Sequence, residues 1–175
     1  MAELELKHLR DEIVTRLRMR QQLLGSALVV GGAFLGIGLE KGQVALIYPP
    51  LAAFIALGWA QNDARIGQIG KYIRDKIEPV VGKGWESYLR EKRSQRGLRS
   101  WRLIVVSQCG LFLFTQLLAT GVGVLNLVPQ WTTQSGSTLW TASVLLFFDV
   151  LAIFVVLGIM LLFMRRFTDR DEVPG

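Results

Sequence analysis

Four long apolar runs dominate the chain: residues 23–39, 44–60, 103–128 and 139–164. A helix needs roughly 20 apolar residues to cross a hydrocarbon core about 30 Å thick, and each run approaches or exceeds that length. Tryptophans, which favour the headgroup region, stand near the ends of these runs: Trp59, Trp101, Trp131 and Trp140. The sequence therefore predicts an all-α polytopic membrane protein with four transmembrane helices and short amphipathic helices outside the membrane.

The basic residues predict how these spans are oriented. Of the 20 Lys and Arg, 19 lie in three segments: residues 1–22, 61–102 and 165–175. Short segments rich in Lys and Arg stay on the cytoplasmic side, so we expect a plasma-membrane protein with both termini cytoplasmic. Residues 23–60 and 103–164 then form two transmembrane hairpins. The net charge of +6 is explained by this topology better than by nucleic-acid binding.

Two apolar stripes outside the spans have the spacing of a helix face. The first consists of Leu6, Leu9, Ile13 and Leu17, and the second of Ile66, Ile69, Ile73 and Ile77. The N-terminal helix is expected either to continue straight into the first span or to bend and lie along the headgroups. Pro79 is expected to close the second helix. These helices either pack together or provide a surface for a protein partner.

A basic run directly precedes the third span. It comprises Arg90, Lys92, Arg93, Arg96, Arg99 and Arg102. Cations beside an inner leaflet attract anionic lipid by about 1 kcal/mol each, so membrane lipids are the expected partner. Nucleotide or nucleic-acid contact is the alternative, but the run lacks aromatic residues arranged as a stacking platform.

Small residues predict how the first two spans pack. Gly32 and Gly36 form a GxxxG pair, and Ala52 and Ala56 recur at the same spacing in the second span. Small residues let helix backbones approach closely in lipid, either within one chain or between subunits of a homo-oligomer. The Pro49-Pro50 pair within the second apolar run is expected to kink that span, with a gating hinge as the further alternative.

One ionisable residue, Asp149, lies deep in an apolar run. It is nine residues from Trp140, which corresponds to about 13 Å of helix. Counting the same distance along the third span reaches Gln116 and Thr120, which share one helix face. We expect these three residues to form an intramembrane polar cluster. It serves either as a hydrogen-bonded packing group or as part of a water-lined ion or proton path.

The sequence contains no recognisable catalytic pattern. His8 is the only histidine and Cys109 the only cysteine, so a histidine dyad, a disulfide and a cysteine metal site are not expected. Cys109 is interpreted as a small apolar residue of the third span. The nucleophile and phosphate-loop motifs are also missing. We therefore expect a non-enzymatic protein without a cofactor.

One stretch resembles a protein family. It begins YPPLAAFIALGWAQNDARIGQIGKYIR at Tyr48 and is followed by Ile77-Glu78 and Gly84-Trp85-Glu86. It is similar to a group of small, uncharacterised bacterial membrane proteins with four spans, a resemblance that implies a fold but no activity. The layout is also loosely similar to small membrane effectors of bacterial antiviral systems. The sequence thus favours a self-associating membrane protein with an ion-permeation or effector role, or else an accessory or scaffold subunit.

Overall fold

The computed structural model is a helical bundle with four long helices. It describes residues 2–82, 84–85, 87–88, 91, 97–128 and 136–168. The long helices are α1 (Ala2–Gly38), α3 (Tyr48–Tyr72), α5 (Gly97–Leu127) and α6 (Gly136–Thr168). Each contains a stretch long and apolar enough to span a membrane, and the described residues include no β-strand. The predicted all-α fold with four membrane-spanning helices is confirmed.

The N-terminal amphipathic segment and the first span form one uninterrupted helix. Because α1 has 37 residues, it is about 55 Å long, whereas a hydrocarbon core is about 30 Å thick. Of the two alternatives, the straight continuation is the one observed. Residues 2–22 therefore project from the membrane beside the far end of α3, and we call this pair of segments, 2–22 and 61–81, the stalk.

Polar side-chain contacts join the two helical segments of the stalk. The Asn62 side chain donates to the backbone carbonyl of Arg16 at 2.8 Å. Arg20 forms an ion pair with Asp63 at 2.6 Å, with both side chains about three-quarters buried. Near the tip, a further side-chain hydrogen bond joins Tyr72 to Glu5. The stalk is thus a helix pair joined by polar side chains; of the two apolar stripes, Ile73 and Ile77 are buried, whereas Leu17 is 37% exposed.

The two proline sites differ from expectation. Gly42–Ala45 forms the short helix α2, and α3 begins only at Tyr48, so Pro49-Pro50 lies in its first turn. Proline is tolerated there because the first amide groups of a helix have no acceptor within it. The predicted kink within the span is therefore wrong.

Pro79 likewise does not close the helix after the isoleucine stripe. The helix α3 passes into a π-helical turn, Ile73–Ile77, and Pro79 lies in the first turn of α4 (Glu78–Val81). The chain turns afterwards, at Gly82, whose φ of 108° suits glycine. The buried Glu78 carboxylate then accepts hydrogen bonds from the backbone amide and hydroxyl of Ser87.

The main core lies where α3, α5 and α6 meet. Trp59 is 2% exposed, and its ring centroid lies 5.7 Å from that of Phe163 and 6.4 Å from that of Phe112. Cys109 is buried in the same cluster. The expectation that Trp59 faces the headgroups is wrong, because these aromatic neighbours enclose its ring. Trp140, by contrast, is 71% exposed.

Close helix contacts occur at glycines other than the predicted pair. A Cβ added to Gly31 would lie 2.8 Å from Tyr48 Cζ, and one added to Gly38 would meet Ala45 at 2.5 Å. At Gly32 and Gly36 an added Cβ meets no described atom within 4 Å. The predicted packing of Gly32 and Gly36 within the chain is therefore wrong, because their face of α1 points outward.

The alanines of the second span do lie inside the bundle. Ala52 and Ala56 are 0% and 2% exposed. Ala52 packs in a cluster with Tyr48 and Ala119, which partly buried side chains of α1 surround. These two positions therefore contribute to the packing of α3 against its neighbours.

Candidate functional site

Asp149 lies on the buried face of α6. The residues on this face recur at helical spacing and are Ala142, Asp149, Ala152, Val156, Ile159 and Phe163. Asp149 itself is 0% exposed, whereas Phe148 and Val150 beside it are about half exposed. The carboxyl group is therefore held in the bundle interior by the same periodicity that buries the apolar side chains around it.

Thr120 and Asp149 come together as the count of residues from the outer ends suggested. The Thr120 hydroxyl donates to Asp149 Oδ2 at 3.2 Å and thereby joins α5 to α6. The second carboxyl oxygen, Oδ1, is buried and has no hydrogen-bond partner among the described residues. A charged carboxylate at such a depth costs roughly 2.5–3.5 kcal/mol on insertion scales, and one neutral hydroxyl offsets only part of that cost.

Gln116 does not complete the cluster as expected. Its amide nitrogen donates to the backbone carbonyl of Pro49 at 3.0 Å, because the first turn of α3 lies against this face of α5. The Gln116 side chain is fully buried, and its Oε1 has no described hydrogen-bond partner. The direct hydrogen bond between Gln116 and Asp149 that the sequence suggested is absent from the described contacts.

The chemistry of this region follows from its acceptor atoms. Asp149 Oδ1 and Gln116 Oε1 are both oxygens, both are buried, and both have unused hydrogen-bonding capacity. Gln116 and Thr120 lie one helical turn apart on the same face of α5. Each acceptor can take up a water hydrogen, and the carboxyl group of Asp149 can also take up a proton or bind a small cation.

A second polar group lies one turn further along the bundle, and the sequence analysis missed it. The Tyr48 hydroxyl lies 3.1 Å from the carbonyl oxygen of Ala27 and 3.0 Å from Thr115 Oγ1. Tyr48 is 0% exposed. In the sequence, only the position of Thr115 directly before Gln116 indicated this group. Tyr48 could not be assigned to the bundle interior, because that assignment depends on the turn between α2 and α3.

At the opposite end from the stalk, Asn126 ties α5 to the end of α1. Its side-chain nitrogen donates to the carbonyls of Gly38 and Leu39 at 3.0 and 3.3 Å. Gly38 is the last residue of α1 and Leu39 follows it, so neither carbonyl has an amide donor within the helix. Asn126 was not singled out in the sequence, because only the close approach of α2 and α5 brings it to this helix end.

The predicted lipid-contact run falls largely outside the described part of the chain. Arg90, Lys92, Arg93 and Arg96 lie outside the described residues. Arg99 and Arg102 belong to α5, but their side chains are not among those described. Contact of the run with anionic lipid remains a prediction. Elsewhere in the described chain, no group of three His, Cys, Asp or Glu is arranged to hold a metal ion.

Comparison with known proteins assigns this chain to no family: no family model, no curated protein and no solved structure matches it. The resemblance to small four-span bacterial proteins therefore remains a prediction.

Proposed function

We propose that this chain is a non-enzymatic integral membrane protein that takes up a proton or a small cation at Asp149. The observation that carries the proposal is the fully buried carboxyl group with one oxygen bonded to Thr120 and the other without a described partner. Ionisable groups are costly inside a membrane, and those that occur commonly serve ion or proton movement. On α5, one turn before Thr120, the buried Gln116 Oε1 is a further oxygen without a described partner, and it supports the proposal as a second acceptor in the bundle interior.

Self-association is the second part of the proposal. Gly32 and Gly36 lie on an outward face of α1 where an added Cβ meets no described atom within 4 Å. Glycine in a helix costs about 1 kcal/mol relative to alanine, and close packing against the described residues does not offset this cost at either position. Packing of this face against a second copy would supply that contact, as in other GxxxG pairs.

The ion-binding part is tested at the carboxyl group itself. The chain has 14 Asp and Glu residues, and the exposed ones also give C=O bands on protonation. Infrared difference spectra between acidic and alkaline pH should therefore contain an additional C=O band from a buried carboxyl, at a frequency different from that of the exposed carboxyls, and Asp149→Asn should remove this band alone. Vesicles containing the protein and a pH-sensitive dye should show proton flux that the same substitution removes. Thr115→Val, which removes a buried hydroxyl from the same helix without touching Asp149, is the matched control and should leave both signals unchanged.

Two results would overturn this part. One is an assembled parent protein that shows neither the infrared band nor any flux. The other is a set of Asp149→Asn signals identical to those of the parent. Thr120→Val refines the test, because it removes the hydrogen bond and retains the carboxyl. It should shift the pH at which the band appears rather than abolish the band.

Self-association is tested by mass. The parent in mild detergent should have the mass of a closed homo-oligomer, and Gly32→Ile should reduce it to that of a monomer. Val29→Ile, on the same exposed part of α1, adds only one methylene group and should leave the mass unchanged. A monomeric parent, or an oligomer unaffected by Gly32→Ile, would contradict the proposed interface.

An accessory or scaffold subunit is the second candidate, and an aromatic surface beside the stalk favours it. Trp85 and Tyr88 are about half exposed, with ring centroids 5.6 Å apart, and Trp85 lines an apolar cleft together with Ile13 and Val14 of the stalk. Ile13 is ten residues from Leu23, where the first apolar run begins, or about 15 Å along α1. The headgroup layer is only about 5–8 Å deep, so this surface suits a protein partner better than lipid.

The two candidates differ in what loss of the carboxyl does. For a scaffold subunit, the hydrogen bond between Thr120 and Asp149 has a structural role only, because it joins α5 to α6. Asp149→Leu then lowers stability by about 0.6 kcal/mol, the value of a typical intramembrane hydrogen bond, and no variant shows flux. Normal stability combined with lost flux supports the ion-binding candidate instead.

A further inference from the structure

A groove runs between α1 and α3 where the stalk meets the membrane-spanning part of the bundle. Its volume is about 550 Å³. Its apolar lining residues are Met19, Leu23 and Gly58, and its polar lining residues are Arg16, Gln22, Ser26, Gln61, Asn62 and Arg65. The groove is therefore amphipathic along its length.

The polarity of the groove follows the expected depth in the membrane. Leu23 begins the first apolar run, and Gly58 lies near the end of the second. Arg16 and Arg65 are each seven residues further from the membrane centre, or about 10 Å by helix rise. Arginine side chains extend their charged ends toward the interface while their stems lie along apolar surface. The deep end of the groove, which Leu23, Ser26 and Gly58 line, thus lies at acyl-chain depth, and both guanidinium groups lie at the shallow end, where they can reach the headgroups.

The charges of the groove favour an anion. Arg16 and Arg65 come from opposite walls, since one belongs to α1 and the other to α3. Arg16 has one ion pair, to Glu12 at 2.6 Å, and also donates to Asn62 Oδ1 at 3.4 Å. Arg65 forms no ion pair with any described residue, and its one described side-chain hydrogen bond is to Gln68 at 3.3 Å. One guanidinium charge is therefore left over, which matches the single negative charge of a phosphodiester. A guanidinium group can bind a phosphate through two parallel hydrogen bonds.

Gly58 keeps the apolar part of the groove open. A Cβ added there would have Leu23 Cδ1 at 3.9 Å as its only described neighbour within 4 Å. A larger side chain at this position would extend into the space between Met19 and Leu23. An acyl chain that lies in the groove needs this space.

From these features we infer that the groove binds one anionic phospholipid, with its phosphate between Arg16 and Arg65 and an acyl chain along Met19, Leu23 and Gly58. The site is separate from the predicted lipid-contact run before α5, because α1 and α3 alone build it. A lipid is favoured over a soluble phosphate because the cationic part continues directly into an apolar one. A soluble anion would leave that apolar part without a ligand.

The site is tested on the full chain in nanodiscs of phosphatidylcholine with a small fraction of diazirine-labelled phosphatidylglycerol. Photolabelling should map to the peptides containing Met19 to Leu23 and Gly58. Arg65→Gln should lower it about tenfold, the equivalent of one charge-assisted hydrogen bond of about 1.4 kcal/mol. The matched control is Arg18→Gln, the same change at an exposed residue that does not line the groove, and it should have no effect.

The acyl-chain part has its own variant. Gly58→Leu should block labelling, whereas Gly67→Leu, at a stalk glycine with no described atom within 4 Å of an added Cβ, should not. Thermal unfolding of each variant shows whether it is folded. If Arg65→Gln fails to fold, Arg65→Lys retains the charge but not the paired hydrogen bonds, and its labelling should still be lowered severalfold.

Three outcomes would overturn the inference. Labelling confined to the segment before α5 would place the lipid elsewhere. Equal labelling by diazirine-labelled phosphatidylcholine would show that the phosphatidylglycerol charge is not recognised. Loss of labelling on addition of inorganic phosphate at constant ionic strength would identify the ligand as a soluble anion. None of these results depends on whether Asp149 binds a proton.

Discussion

Substitution of Gly31 by alanine tests the closest contact between α1 and α3. The new Cβ would lie 2.8 Å from Tyr48 Cζ and 2.9 Å from the Tyr48 hydroxyl oxygen. To reach an ordinary contact of 3.4 Å, the ring would have to move by about 0.6 Å. Tyr48 is fully buried and its hydroxyl is hydrogen-bonded to Ala27, so such a movement disturbs both packing and hydrogen bonding.

The neighbouring Gly32 is the control for this substitution. An alanine there meets no described atom within 4 Å. Both substitutions gain the same helix propensity, about 1 kcal/mol, so this contribution cancels when the two variants are compared. What remains is the overpacking at Gly31, which typically costs about 1–3 kcal/mol. Gly31→Ala should therefore have a free energy of unfolding lower than that of Gly32→Ala by that amount.

The measurement is reversible unfolding by SDS in mixed micelles, at protein concentrations where each variant is monomeric. Tryptophan fluorescence reports the transition, because Trp59 is buried in the core. In a Tyr48→Leu background the ring is gone, and Gly31→Ala should no longer destabilise the protein relative to Gly32→Ala. Equal stability of the two alanine variants in the parent background would refute the close approach of Gly31 and Tyr48.

Two further predictions concern packing and orientation. Gly123→Ala should destabilise the bundle by about 1–3 kcal/mol, because its Cβ would overlap the Leu46 side chain. Gly121→Ala is the control and should not destabilise the bundle, because its Cβ meets no described atom within 4 Å. Unfolding in mixed micelles compares the stability of the two variants. Single cysteines at Ser94 and Ser135, in a background without the native cysteine, should label oppositely with an impermeant reagent in intact cells. Labelling of position 94 but not 135 from outside would contradict the predicted orientation.

The sequence by itself determined the fold class, because crossing a membrane depends on the length and hydropathy of each run and on little else. It also placed Asp149 and Thr120 at the same depth. That argument needs only the helix rise and the antiparallel order of neighbouring spans. Such quantities are local or additive along the chain, and no knowledge of which helix faces meet is required to obtain them.

Only the tertiary structure decided which faces meet. Gly31 and Gly32 are adjacent in sequence, yet a rotation of about 100° along the helix puts one against Tyr48 and leaves the other outward. The GxxxG spacing marks a small-residue face but does not specify which neighbour it meets. The same limit applies to Gln116. Its amide donates a hydrogen bond to the carbonyl of Pro49 because α2 precedes α3, and Pro49 therefore lies in the first turn of α3. Rotation and turn position depend on the packing of all four helices together, and a linear pattern does not contain them.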